Sequence, residues 1–147
     1  GVTITSTNFF SRHNERDTTT GLSYSSANDL AQSTAFQNLN NVGGVSNDSD
    51  HGLNGYLHIF NPASTTYTKH YIATTSFSHR GDYMINVNTA GYANTTNSVD
   101  AIKFQLTHLG SQKLSNRQRK QSVCSATIDA MIFRYCAFLW SALIMCW

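Results

Sequence analysis

The chain has 147 residues, enough for one domain with a hydrophobic core and too few for two of ordinary size. Charged residues make up only 12% of it, which argues against a disordered polyelectrolyte and against a dedicated nucleic-acid-binding protein. The formal net charge of +2 conceals a division near residue 105. Residues 1–105 carry five Lys and Arg against seven Asp and Glu, whereas residues 106–147 carry five against one.

The same division separates the other residue types. Thr, Ser and Asn fill 40 of the first 105 positions, and they favour strands and turns. Residues 106–147 hold both tryptophans and all three cysteines, Cys124, Cys136 and Cys146. Three is an odd number and this spacing fits no zinc pattern, so we expect free thiols. Residues 1–105 are therefore interpreted as a β domain and residues 106–147 as an atypical tail.

The first third of the chain predicts short strands between polar loops. Residues 2–5 alternate between polar and apolar side chains, which predicts a strand. Residues 11–20 are polar and predict a loop, and residues 22–24 predict a short strand. Residues 29–39 fit either a short helix or an irregular strand, and the strand is favoured. Residues 42–55 hold four glycines among polar residues and predict a long loop.

The clearest local pattern is a hairpin between residues 56 and 75. Residues 56–60 form a strand that Asn61-Pro62 ends, because the residue before a proline is kept out of helical geometry. Residues 67–75 alternate again and form the second strand. Their pairing predicts an antiparallel hairpin with a loop of five or six residues.

Two more strands are predicted after a turn at residues 79–82. They cover residues 83–87 and 101–106, and a polar stretch begins between them at residues 90–92. The inward side chains are expected to be Tyr83, Ile85 and Val87 in the first strand and Ile102, Phe104 and Leu106 in the second. Short alternating runs with turn signals and no 3.6-residue period predict an all-β fold. The expected form is an antiparallel β-sandwich of jelly-roll type.

The tail breaks this pattern. Residues 112–121 are basic and polar, and residues 130–147 are almost wholly apolar apart from Arg134. Eighteen apolar residues would just cross a bilayer as a helix, with the basic stretch on the cytoplasmic side. A helical tail anchor is therefore one expectation for residues 106–147. A membrane partner is expected only if residues 130–147 are the encoded sequence.

Four motifs carry a family resemblance. They are Gly55-Tyr56-Leu57-His58-Ile59-Phe60-Asn61-Pro62, Thr65-Thr66-Tyr67-Thr68-Lys69-His70, Gly91-Tyr92 and Asp100-Ala101-Ile102-Lys103-Phe104. In these motifs the chain resembles a group of small structural proteins of marine tailed bacteriophages, over about residues 20–105. The resemblance implies a β-sandwich component of the virion, in the tail, in a fibre or as capsid decoration. It supplies no catalytic residues.

The tail departs from that group. There, the Ala-Ile-x-Phe strand is typically followed by a Ser-Ser-Gly turn and a closing strand. Here Phe104 is followed by Gln105-Leu106-Thr107-His108-Leu109-Gly110, whose codons for residues 107–110 can encode Ser-Ser-Gly in another frame. We therefore hypothesise that residues after about Gln105 are translated out of frame, and the nucleotide sequence tests this directly.

The sequence offers no convincing catalytic, cofactor or metal site. It lacks the Gly-x-Ser-x-Gly motif of serine hydrolases, and Glu15 is the single glutamate. The run Asp48-Ser49-Asp50-His51 has oxygen ligands for calcium without the spacing of a dedicated loop, so a solvated loop is favoured. His58 and His70 are expected to be strand residues rather than ligands. Arg80-Gly81-Asp82 matches an adhesion tripeptide, but a turn is the favoured interpretation.

The candidate binding or interface residues are aromatic. They are Tyr67, Tyr71, Tyr83 and Tyr92, which suit either an interface between proteins or stacking on a sugar. The leading interpretation is a non-enzymatic structural protein of the virion that assembles with copies of itself and with other virion proteins. The first alternative is a carbohydrate-binding module that recognises a host-surface glycan. The second is a tail-anchored membrane protein.

Overall fold

The computed structural model of the chain describes residues 1–40, 44–46, 48, 50–107, 126–127, 130–136 and 142–146, with side chains up to residue 105. Within these ranges the secondary structure is entirely strand and turn, so the all-β prediction is confirmed. The strands are β1 Ile4–Asn14, β2 Thr20–Tyr24, β3 Leu30–Ser33, β4 Gln37–Asn38, β5 Gly52–Ile59, β6 Lys69–His79, β7 Tyr83–Ala93, β8 Lys103–Thr107, β9 Ala126–Thr127, β10 Ala130–Cys136 and β11 Ala142–Cys146.

The strands form two antiparallel sheets. The larger has the order β2-β1-β7-β6-β5-β10-β9, and β3 also pairs with β1. The smaller has the order β4-β11-β8. The central hairpin of the larger sheet joins β6 to β7, with Lys69 opposite Ala93 at one end and His79 opposite Tyr83 at the other.

Alternation of side chains gives the larger sheet a buried inner face and an outer face. In β6 the inner residues from Lys69 to Phe77 are buried at every second position, and the residues between them are exposed or half-buried. The inner face packs against residues from outside that sheet, including Leu39, Val45 and Phe104. The buried core comprises Ile4, Leu39, Val45, Leu53, Leu57, Ile59, Tyr71, Ala73, Phe77, Ile85 and Val87.

Strand β1 is much longer than its sequence predicts. The strand predicted at residues 2–5 is present from Ile4 onward, but the predicted loop at residues 11–20 is wrong for its first part, because β1 continues to Asn14. This segment lies between β2 and β7, so its backbone is paired on both sides despite its polar side chains. Asn14 then starts the turn, because its Oδ1 accepts hydrogen bonds from the backbone N–H of Thr18 (3.0 Å) and Thr19 (2.9 Å).

Most of the other predicted strands are present, with different limits. The strands predicted at residues 22–24 and within 29–39 are confirmed as β2, β3 and β4. The hairpin of β5 and β6 is confirmed, but its loop is longer than expected because β6 begins at Lys69. The polar stretch expected at residues 90–92 lies inside β7, and the loop expected at 42–55 ends earlier because β5 begins at Gly52.

The described parts of the tail are strands, so the expected helix is wrong there. Strand β10 pairs with β5, from Met131 opposite Leu57 to Cys136 opposite Gly52. Strand β11 pairs with β8 and β4. The basic stretch at residues 112–121 lies outside the described residues. In the part of the chain that is described, no helix is long and apolar enough to span a bilayer.

Candidate functional site

The outer face of the larger sheet is uncharged over five strands. In β1, β2, β5, β6 and β7, the outer positions carry hydroxyl, amide, aromatic, aliphatic and histidine side chains, with no Asp, Glu, Lys or Arg. The arginine of β1 and the lysine of β6 occupy inner-face positions. Uncharged hydrogen-bonding groups beside exposed rings make this face the strongest candidate for a binding surface.

One row of side chains crosses this face from the edge strand β2 to β5. Strand register places five residues directly opposite one another in turn, and we call them the aromatic row: Tyr24, Phe9, Asn88, Thr74 and Tyr56. The ring side chains are open to solvent, with exposed fractions of 57% for Tyr24, 39% for Phe9 and 47% for Tyr56. At about 4.8 Å per strand, Phe9 and Tyr56 are roughly 14 Å apart.

A hydrogen-bonded ladder occupies the centre of the row. Asn88 Nδ2 donates to Asn86 Oδ1 at 2.7 Å, and Thr74 Oγ1 donates to Asn88 Oδ1 at 3.1 Å. A primary amide has two donor hydrogens and an oxygen with two lone pairs, so each of these bonds uses only part of the capacity of its groups. The ladder therefore fixes the amide orientations and leaves polar capacity for a ligand.

A further hydrogen bond fixes the end of the row on β2. The Tyr24 hydroxyl donates to Asp29 Oδ2 at 2.6 Å. This bond, together with desolvation and the negative charge of Asp29, raises the pKa of Tyr24 above its ordinary value, because each favours the protonated phenol. Tyr24 thus stays neutral and its ring is anchored beside Phe9.

A second aromatic group lies at one end of the outer face. The rings of His58 and Phe60 have centroids 4.4 Å apart, and those of His70 and Tyr92 are 5.7 Å apart. These ring contacts fit the expectation that the two histidines are strand residues. Among the described residues, no group of three or more His, Cys, Asp or Glu could hold a metal ion.

The four tyrosines singled out in the sequence do not share a surface. Tyr67 is exposed in the loop between β5 and β6, and Tyr92 is half-buried on the outer face. Tyr71 and Tyr83 belong to the inner face. Tyr71 is fully buried, its hydroxyl lies 3.2 Å from Gln37 Oε1, and desolvation raises its pKa. Tyr71 therefore cannot stack on an external ligand.

The aromatic row was missed because its residues are far apart in sequence. Phe9 and Tyr24 flank a turn, whereas Asn88 and Tyr56 come from strands that join them only in the sheet. The single local signal is the strand predicted at residues 56–60, since neighbouring residues of a strand such as Tyr56 and Leu57 lie on opposite faces. Only the strand register brings the rings and the amides into one line.

Three polar segments meet at one end of the sheet. The turn after β1, the loop before β5 and the turn between β6 and β7 enclose a cavity of about 220 Å³. It is lined by His13, Asn14, Glu15, His51, Ser78, His79, Asp82, Tyr83 and Met84. His13 Nε2 lies 3.0 Å from Asp17 Oδ1, so this histidine faces a carboxylate from its own turn. The sequence singled out parts of these segments without placing them together.

The adhesion tripeptide and the calcium candidate have local structural roles. The backbone N–H of Gly81 donates to His79 Nδ1 at 3.0 Å, and Asp82 has a positive φ of 60°, as in a tight turn. The turn prediction at residues 79–82 is confirmed. Asp48 Oδ2 accepts a hydrogen bond from Ser46 Oγ at 2.8 Å, while Ser49 lies outside the described residues.

The motifs behind the phage resemblance connect the start of β6 to the loops beside it. Lys69 is fully buried, and its Nζ donates to the backbone carbonyls of Ser64 at 2.6 Å, Tyr67 at 2.7 Å and Thr96 at 3.3 Å. A carbonyl of the same loop, that of Pro62, accepts the Val99 N–H at 2.9 Å. The loop before β6 is thus tied to the segment before β8.

Two motif glycines allow close contacts between strands. A Cβ at Gly91 would lie 2.5 Å from the Thr5 carbonyl oxygen and 2.8 Å from the Tyr71 hydroxyl. A Cβ at Gly55 would collide with the backbone carbonyl of Thr74 on β6. These glycines are therefore required by packing.

No family model, curated protein or solved structure matches the chain.

Proposed function

We propose that the chain is a non-enzymatic structural protein of a bacteriophage virion, in the tail, a fibre or the capsid surface. The observation that carries this proposal is the role of the resemblance motifs in the fold. Gly55, Lys69 and Gly91 all belong to those motifs, and each has a packing or hydrogen-bonding role in β5, β6 or β7, three adjacent strands of the larger sheet. The motifs therefore describe a framework, as expected of a protein whose work is assembly.

The finer architecture that we propose is a β-sandwich of jelly-roll type. Two observations support it. All pairings within both sheets are antiparallel. The core of the larger sheet also includes Leu39 beside β4 and packs against Phe104 of β8, so elements of the smaller sheet cover its inner face. A sandwich buries both inner faces in this way.

Strand β2 is the proposed contact between copies of the chain. It forms one edge of the larger sheet, so part of its backbone is open for pairing with another strand. Its sequence, Thr-Gly-Leu-Ser-Tyr, has no charge or proline to discourage such pairing, and Leu22 is 72% exposed. Edge pairing of two β2 strands would join two larger sheets into one.

Leu22→Lys is expected to abolish self-association while leaving the monomer folded. A lysine on an edge strand opposes edge pairing through charge repulsion. The Leu22 side chain is mostly exposed, so replacing it should cost the monomer little stability. Sedimentation velocity on the full chain should show an oligomer for the wild type and a monomer for the variant. Thr34→Lys, which adds the same charge at an exposed position between β3 and β4, should leave the oligomer intact.

Two results would contradict the structural proposal. The first is a wild-type chain that stays monomeric over the whole concentration range. The second is absence of the chain from purified particles of the phage that encodes it, measured by mass spectrometry of the washed particles. Imaging of those particles would then identify the neighbours of the protein and its symmetry.

A further inference from the structure

The geometry points to a second function for the outer face: the aromatic row and its ladder bind a neutral oligosaccharide. The binding residues are Tyr24, Phe9 and Tyr56, which supply rings, and Asn86, Asn88 and Thr74, which supply hydrogen bonds. This function goes beyond assembly and does not depend on it. The row also replaces the four tyrosines that the sequence suggested for sugar stacking.

The rings match the apolar side of a sugar. A pyranose presents C–H groups on its flat faces, and these pack on aromatic rings, whose faces carry partial negative charge. Phe9 and Tyr24 are directly opposite each other on adjacent strands and form one stacking position. Tyr56 lies about 14 Å from Phe9 and forms another, because three strand spacings separate them.

The ladder matches the hydroxyl groups of a sugar. Its amides and hydroxyl lie between the two stacking positions, where they meet the edge of a bound oligosaccharide. Amides both donate and accept, as sugar hydroxyls do, so a fixed amide pair can hold adjacent hydroxyls. Because Asn88 is already bonded to Asn86 and Thr74, binding requires little ordering of these side chains.

Charge identifies the ligand class. The outer positions of β1, β2, β5, β6 and β7 carry no Lys or Arg, the side chains that form ion pairs with anionic glycans such as sialylated or sulfated chains. Arg134 of β10 is opposite Asn54 in the register, beside this surface and off the aromatic row. A protein partner is disfavoured by the same pattern, since the centre of the row is polar where a protein interface is most apolar. An uncharged polyhydroxylated ligand fits both features.

The test uses the full chain on a printed panel of neutral gluco-, galacto-, manno- and N-acetylhexosamine oligosaccharides, beside sialylated and sulfated ones. We expect the wild type to bind at least one neutral oligosaccharide and to prefer it over the charged ones. Tyr56→Ala and Tyr24→Ala should each weaken binding about tenfold, the loss of one stacking contact. Tyr67→Ala is the matched control, since Tyr67 is 69% exposed in a loop and off the row, and it should bind normally.

A second measurement separates folding from binding. The bound oligosaccharide should shift the side-chain amide resonances of Asn86 and Asn88 in the folded wild type. The proposal is overturned if folded wild type binds no neutral glycan, if charged glycans are preferred, or if the Tyr56 and Tyr67 variants behave alike. It is also overturned if Tyr56→Ala dissociates an oligomer, because the face would then be covered by a second copy. If no oligosaccharide binds, the result for Leu22→Lys and the presence of the chain in phage particles are unaffected. The two proposals can therefore fail independently.

Discussion

Replacing Gly91 by alanine is expected to destabilise the fold by about 3 kcal/mol, the upper part of the range for overpacking a core. Strand β7 lies between β1 and β6, and Gly91 is opposite Ser6 on one side and Tyr71 on the other. The new Cβ would meet the Thr5 carbonyl oxygen at 2.5 Å, and that oxygen belongs to the backbone of a strand paired on both sides. It would also displace the Tyr71 hydroxyl from Gln37.

Urea unfolding of the full chain measures this effect. At a slope of about 2 kcal/mol per M, the midpoint should fall by roughly 1.5 M. Gly21→Ala is the matched control in the same sheet, because its Cβ would find only the Arg12 side chain at 3.7 Å. We expect the control to be neutral or slightly stabilising, since alanine reduces the entropy of the unfolded chain. Equal midpoints for the two variants would show that the close approach at Gly91 is not needed.

The sequence predicted strand positions well where the inner face is apolar and poorly where it is polar. Strand β7 was predicted to end at Val87, because its next inner residues are Thr89, Gly91 and Ala93. The structure continues the strand to Ala93, paired with β1 and β6, and on its inner face Thr89 Oγ1 accepts a hydrogen bond from buried Asn8 Nδ2 at 2.8 Å. Small inner residues also leave room for the Tyr71 ring. Periodicity in a single strand cannot report a polar partner 81 residues away.

The buried polar network shows the same limit. Ser6 Oγ and the Tyr71 hydroxyl both meet Gln37 Oε1, while Gln37 Nε2 donates to the backbone carbonyls of Asn28 and Asn38. Each of these groups alone favours a surface position, and together they satisfy one another inside the core. Judged by composition alone, some residues that the fold buries were therefore expected in loops or on the surface.

The candidate site was less predictable than the fold for a geometric reason. A sheet face is defined by register, and a one-residue shift moves every side chain of a strand to the other face. Tyr71 and Tyr92 are both strand tyrosines, yet only Tyr92 is on the outer face. The sequence suggested a sugar-binding alternative on Tyr67, Tyr71, Tyr83 and Tyr92, but the register places other rings together on the outer face.

Lys69→Met is expected to destabilise the fold by about 3 kcal/mol. The substitution keeps an unbranched side chain that is one atom shorter, and it removes the ammonium that binds three backbone carbonyls at 2.6, 2.7 and 3.3 Å. Each buried or half-buried carbonyl that loses its hydrogen-bond donor lowers the free energy of unfolding by about 1 to 3 kcal/mol. The loss is smaller where water can reach the carbonyl. Arginine should rescue only in part, because its planar guanidinium cannot point at three carbonyls as a tetrahedral ammonium does.

In Lys69→Met the loops around residue 69 should open before the whole chain unfolds. A measurement at these loops is therefore more specific than the free energy of unfolding alone. The Val99 N–H bonds the Pro62 carbonyl, so its hydrogen exchange reports whether the loop before β6 remains tied to the segment before β8. We expect this amide to exchange faster in Lys69→Met, while amides in the centre of β7 change only with global stability. Lys103→Met is the control, since Lys103 is exposed and its Nζ lies 5.3 Å from the centroid of the Phe36 ring rather than on backbone carbonyls. If Lys69→Met matches that control in both stability and Val99 exchange, the ammonium does not hold these loops, and the resemblance motif that contains it needs another explanation.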